Sequence, residues 1–208
     1  MCGRYTLAAS QRPERHKWDV SLRDRFNIAP QSDVLIQLES GAMALKRWSY
    51  SPPWTQPSMR ITNARAETLL QKRVFKNARR CAFVADGWYE WQRSGANKTP
   101  WYHHSDGALL LFAGIYEDDS GCAIVTTEAQ AGIEHVHHRQ PLLLDNDGLD
   151  AWLDGATPDV CMRDLPIECY PVSRRVNRAG IDDSSLIRPI SADVTDDGFG
   201  QTADLFAE

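Results

Sequence analysis

Short apolar runs, some alternating and some continuous, are broken along the chain by Gly, Pro, Asn and Asp. This pattern predicts many brief strands and few helices. Residues 34–38 and 42–48 read as two strands joined around Glu39-Ser40-Gly41. Residues 81–91, CAFVADGWYEW, read as one strand-like run with Gly87 as a bulge or a point of close approach. Residues 99–104 and 108–116 read as a hairpin around Ser105-Asp106-Gly107. Residues 122–126 and 142–144 read as buried strands, and 167–172 as a late one.

Helical patterns are expected over residues 8–18, with Pro13 in an early turn, and from Asn63 to about Lys76. Two more are expected over 128–133 and over 147–153, the last capped by Asn146 or Asp145. Residues 26–30 are expected to be loop, because the residue before Pro30 is pushed out of helical space. Residues 51–57, SPPWTQP, can be neither helix nor central strand and predict a stiff loop with Trp54 at its tip. The periodic part ends near residue 190, so residues 1–190 read as one domain and 191–208 as a flexible acidic tail.

Composition narrows the class. No apolar run approaches the roughly 18 residues of a membrane span, and no signal peptide is evident, so a cytoplasmic protein with no membrane partner is expected. Five cysteines without a C-x-x-C pair argue against a disulfide framework or zinc ribbon, and Cys81 and Cys122 read as core thiols. The net charge of -5 is unevenly placed: seven acidic residues and one arginine lie from Asp182 onward, leaving 21 acids against 22 Lys and Arg before it. The body can therefore present a basic groove to nucleic acid despite the acidic total.

Several positions carry candidate chemistry. If Met1 is removed, Cys2 presents an α-amine and a thiol on adjacent carbons, a pair able to take an aldehyde through an imine to a thiazolidine ring. Glu90, between Tyr89 and Trp91, is a carboxylate among aromatics whose charged form is disfavoured, although alternation alone would point it outward. His135, His137 and His138 do not have zincin spacing, so no metal or cofactor is expected; one of them suits acid–base work, and spacing does not say which. Trp54 is a packing residue or a stacking platform for a base. Arg65 and Arg73, eight apart on the expected helix, are a solvated face or a phosphate track.

Taken in order, MCGRY, FNIAP (26–30), NARAET (63–68), CAFVADGWYEW, VTT (125–127), HHRQP (137–141) and PVSRRVN (171–177) closely resemble the SRAP family, the SOS response-associated peptidases understood as abasic-site processing proteins. The resemblance spans about residues 2–190. It implies an α+β fold of mostly antiparallel, barrel-like sheet with helices packed outside. It implies covalent capture of abasic sites in single-stranded DNA through Cys2, with weak lyase activity and autoproteolytic removal of Met1. By matching position, Asn63, Glu90 and His137 join Cys2 as the catalytic set. Arg4, Arg65, Arg73, Thr126 and Arg139 match DNA contacts, with Pro30, Trp54 and Trp91 as surfaces against bases or sugar. Ser49 and Tyr50 depart from the glycine and aliphatic residue usual before the Trp54 loop. An N-terminal-nucleophile amidohydrolase and a non-catalytic single-stranded DNA binding module are the other readings. At the far end, Gln201, Asp204, Leu205 and Phe206 resemble peptides that dock on the bacterial replication sliding clamp. The chain is expected to be a monomer.

Overall fold

The computed structural model describes residues 2–18, 20–56 and 58–190. Among the described residues thirteen strands follow one another: β1 (Arg4–Leu7), β2 (Arg25–Ile28), β3 (Asp33–Leu38), β4 (Met43–Arg47), β5 (Asn63–Arg65), β6 (Arg79–Ala85), β7 (Gly87–Ser94), β8 (Asn97–His104), β9 (Leu110–Glu117), β10 (Gly121–Glu128), β11 (Arg139–Pro141), β12 (Leu143–Leu144) and β13 (Glu168–Pro171). Two short helices, α1 (Asn146–Leu153) and α2 (Pro158–Cys161), and several 3-10 turns complete the described part of this α+β chain.

The strands form two sheets. The first has the order β13-β8-β7-β1-β2 and is antiparallel throughout. The second runs β11-β10-β9-β6-β3-β4, with β12 added to β9 and β5 added parallel to β10. Neither closes on itself, but an isolated bridge from Trp48 to Cys122 brings the end of β4 back to β10 and curves the second sheet towards a barrel.

Aromatic side chains from both sheets fill the space between them. Tyr5 of β1 meets Trp48, Phe83 and Phe112 edge-on at 5.4, 6.4 and 6.2 Å between ring centres. Edge-to-face packing suits the ring quadrupoles and adds to the apolar area removed from water. Outside the second sheet, α1 buries Leu149 and Trp152 against Ala82, Ala113 and Val125. Its start is set by Asp145, whose carboxylate accepts from the Gly148 amide at 2.7 Å. Outside the first sheet, Tyr89 and Tyr102 pack with Val172, Val176 and Leu186. The central strands are thus largely covered on both faces.

That double coverage explains several departures from the expected elements. The 81–91 run is two strands in different sheets, parted at Asp86, and Gly87 sits where a Cβ would collide with the His103 carbonyl and the Tyr102 ring. Residues 99–104 and 108–116 do not form a hairpin; β8 pairs with β7 and β13 while β9 lies in the other sheet, so the turn between them crosses from sheet to sheet. The 26–30 loop is strand as far as Ile28, held by β1, and only Ala29 and Pro30 leave it. The 63–76 helix is instead β5 followed by two 3-10 turns, because a parallel ladder with β10 outweighs the helix propensity of NARAET. Arg65 and Arg73 therefore share no helix face. Residues 128–133 are the end of β10 and turns, and 9–17 are two 3-10 pieces. The 33–38/43–47 pair, α1 with its Asp145 cap, and β13 match expectation. No described helix is long and apolar enough to cross a membrane. The proposed tail peptide at 201–206 lies outside the described residues.

Candidate active site

Cys2 enters the space between the sheets directly ahead of β1 and is fully buried. The Asn63 side-chain amide, carried by β5 of the opposite sheet, donates to the Cys2 carbonyl at 2.8 Å. One sheet therefore fixes the backbone of the residue that begins the other. Asn63 Oδ1 is buried and has no hydrogen-bond partner among the described residues, leaving an acceptor facing the site.

Glu90 is on β7, two residues after Trp88, so both side chains leave the same face of the strand. Trp88 belongs to the inter-sheet core, and Glu90, 3% exposed, follows it inward. The alternation that pointed Glu90 outward assumed one wet face, whereas residues 87–90 of β7 are buried on both. Burial lifts its carboxyl to about 7, so both protonation states are populated near neutrality. Burial, reinforced by the Glu90 charge, also pushes the Cys2 thiol well up, and it rests as the neutral thiol with Sγ 3.6 Å from the Arg4 carbonyl.

His137 comes from the turns between β10 and β11. Gln92, two beyond Glu90 on β7, donates to the His135 carbonyl at 3.1 Å and ties these turns against that strand. Trp101, paired with Glu90 across β7–β8, meets the His135 ring edge-on at 5.2 Å. The Arg139 amide donates to His137 Nδ1 at 3.0 Å. The Arg139 carbonyl lies 3.2 Å from the same nitrogen, so the Arg139 backbone presents both a donor and an acceptor to Nδ1. Burial lowers the His137 pKa to about 4, which keeps the ring neutral at physiological pH. The neighbouring His138 stacks on it at 4.5 Å.

The other expected residues fall into two groups. Trp54 is 53% exposed, and Arg65 and Arg73 are exposed, so all three are open to a ligand. Thr126 and Arg139 are buried. Arg139 forms a two-pronged ion pair with Glu67, at 2.6 and 3.0 Å, and donates to the Thr126 carbonyl at 2.6 Å. Arg65 lies opposite Thr126 across β5–β10, so these residues adjoin although one is wet and two are dry. Arg4 donates to Asn27 Oδ1 at 3.2 Å. Pro30 is half-buried, and half-buried Trp91 donates to Asn177 at 2.9 Å with the Lys98 ammonium 5.0 Å over its ring. Sequence reasoning assigned nothing to Glu67, Gln92 or Asn27; Glu67 stood within NARAET, but only the folded pairing reveals its partner. Among the described residues no three His, Cys, Asp or Glu are grouped to hold a metal ion.

Residues 1–179 match the family described as SOS response associated peptidase (SRAP). The chain is 30% identical to the abasic site processing protein YoaM of Bacillus subtilis, covering 85% of this chain and 93% of that one. It is 29% identical to the abasic site processing protein YedK of Escherichia coli, covering 91% and 100%. Among solved structures, a protein from Bacteroides thetaiotaomicron superposes with a TM-score of 0.79 at 21% identity over 91% of this chain and all of that one. A phage-related protein from Bordetella bronchiseptica superposes with a TM-score of 0.67 at 31% identity, covering 82% and 94%.

Proposed function

Because the chain belongs to the SOS response associated peptidase (SRAP) family, we propose that it processes abasic sites in single-stranded DNA by capturing them covalently through Cys2. The observation that carries this reading is the buried group in which Asn63 holds the Cys2 carbonyl while the Glu90 charge, on a carboxyl lifted to about 7, adds to the burial that raises the Cys2 thiol. Curated relatives bearing the name abasic site processing protein support the substrate.

The mechanism assigns the residues distinct tasks. The abasic sugar is largely a closed hemiacetal. Neutral His137 polarises its ring oxygen through a ring N–H, while Glu90, near 7, moves the protons of ring opening. With Met1 removed, the Cys2 amine adds to the freed aldehyde and water leaves, giving an imine. The thiol then passes its proton to Glu90 as sulfur bonds to the imine carbon, the nitrogen takes up a proton, and a thiazolidine results. One water is lost in total. Asn63 Oδ1 is suited to accept from a sugar hydroxyl or the amine. Fixing both partners makes the addition effectively unimolecular, which lowers such barriers by as much as roughly 7–11 kcal/mol. If the sulfur does not close, the imine permits β-elimination and hence a weak lyase side reaction. Exposed Trp54, Arg65 and Arg73 and half-buried Trp91 are the groups offered to bases and phosphates of the strand.

A cysteine peptidase is less well served. Its nucleophile is a thiolate drawn down by a neighbouring cation, whereas here burial and Glu90 both push the thiol up. Incubating the protein with uracil-containing single-stranded DNA treated with uracil glycosylase should give a heat-stable band of DNA-plus-protein mass on a denaturing gel. Cys2→Ala should abolish that band; a wild-type yield of stable adduct from Cys2→Ala would discard the assignment.

A further inference from the structure

We propose that the apolar groove beyond β5 is a subsite for an unpaired nucleobase of the captured strand, one that flanks the lesion. The inference rests on the function proposed above and adds a second point at which the strand is gripped. The groove holds about 330 Å³, at the lower end of the roughly 300–1,000 Å³ usual for small-molecule sites. Two chain segments wall it. Ala66 and Leu70, directly after β5, form one wall, and Pro158 and Met162, from α2 and the residue after it, form the other. Buried Leu142 and Thr127 lie between them. Leu70 is 66% exposed and Met162 40%, so both walls hold apolar side chains open to water. Apolar groups kept open together in this way mark a binding surface.

Charge and position select the occupant. Arg65 immediately precedes the first wall and Lys72 and Arg73 follow it, all three exposed, whereas the second wall presents Asp159. Phosphates therefore belong on the side of residues 65–73, and the group between the walls must be uncharged. A nucleobase meets both demands, being apolar on its faces and polar only at its edge. Gln71 and Thr127 meet that edge, and each can donate and accept, so the subsite tolerates any base. The Thr127 hydroxyl is turned to the Met162 sulfur, a weak acceptor, at 3.5 Å, and gives up little to meet a base. Asn63, which holds the Cys2 carbonyl, stands three residues before Ala66. At about 3.3 Å per strand residue the groove begins roughly 10 Å from Asn63, within reach of a nucleotide close to the one at Cys2.

The test is fluorescence anisotropy with labelled single strands that carry an unreactive tetrahydrofuran in place of the lesion. In successive strands one flanking nucleotide at a time loses its base and keeps its phosphate. Wild type should lose about tenfold in affinity when the base that enters the groove is omitted. Leu70→Ala/Met162→Ala should bind the intact strand about tenfold more weakly, and the same omission should then cost less than about twofold, because the two changes remove one contact. Leu70→Ala alone replaces the double variant if circular dichroism shows the latter unfolded, with the same loss of coupling expected. Additive losses from variant and omission at every flanking position overturn the inference. So does an affinity for the intact strand unchanged by the folded variant, which would leave the groove to a protein partner. A wild type that binds these strands but forms no adduct with a true abasic strand sinks covalent capture and leaves the groove measurement valid. Adduct formation without the coupling sinks the groove alone, so the two failures are separable.

Discussion

Asp86 and Glu90 stand four residues apart, at the start and in the middle of the chain's passage along one sheet, and both are buried. Their surroundings divide them. Asp86 is ion-paired with Arg12 and accepts the Ala8 amide, so part of the cost of burying its charge is returned. Arg12 also donates to the Gly107 carbonyl in the turn between the sheets, which makes this corner a structural joint. At Glu90 burial prevails and the carboxyl is left to titrate near 7. Similar burial gives a rivet in one place and, on the proposed mechanism, a proton shuttle in the other.

The contrast is broken most sharply at Glu90. Glu90→Gln should lower the adduct rate by about 10²–10⁴-fold, the usual worth of a general acid or base, measured by gel or intact mass against time. The same variant should be more stable than wild type at pH 8. A carboxyl raised from 4.5 to about 7 binds its proton more tightly folded than unfolded, so its contribution is present below pH 4.5 and is lost as pH rises to about 7. At about 1.4 kcal/mol per unit the advantage of glutamine is on the order of 3 kcal/mol at pH 8, shrinking towards pH 4.5. Denaturant titrations at the two pH values read it directly.

Asp86→Asn should do the reverse. It leaves the Arg12 guanidinium poorly compensated at a largely dry joint and should cost roughly 3–5 kcal/mol of stability. The adduct rate of the protein that remains folded should stay within about twofold of wild type. A large kinetic defect at full stability would contradict the division. Trp54→Ala supplies the smallest effect, outside both carboxylate environments. It should weaken binding to single-stranded DNA by about 1–3 kcal/mol while shifting stability by less than about 0.5 kcal/mol, as calorimetry and melting would show.

The sequence was informative wherever a local rule governed the fold. The 33–38/43–47 pair needed only alternation and a turn glycine, and α1 needed only its capping carboxylate. It misled where a distant strand decided the outcome. Asn63–Arg65 has the composition of a helix and became a strand because β10 lay ready to pair with it. The division of 81–91 at Asp86 and the crossing after β8 depend on which sheet each strand joins, and no local pattern encodes that. The candidate site was legible as residue types in a characteristic order. What those residues can do was less so: the inward Glu90, the neutral His137 and the pairing of Arg139 with Glu67 are properties of the folded surroundings.

Asn27 joins the two ends of the domain. Its side-chain amide lies within 2.8–3.2 Å of the carbonyls of Val176, Arg178 and Ile181, and its own oxygen accepts from Arg4, two residues after Cys2. Asp182 meanwhile accepts the Phe26 and Asn27 amides along the outer edge of β2. The domain is fastened like a belt, with the last turns as the tongue and the second strand as the buckle. A protease nick near residue 179 would therefore slacken the chain at its opposite end, and Cys2 would register the damage although some 175 positions of sequence separate it from the cut.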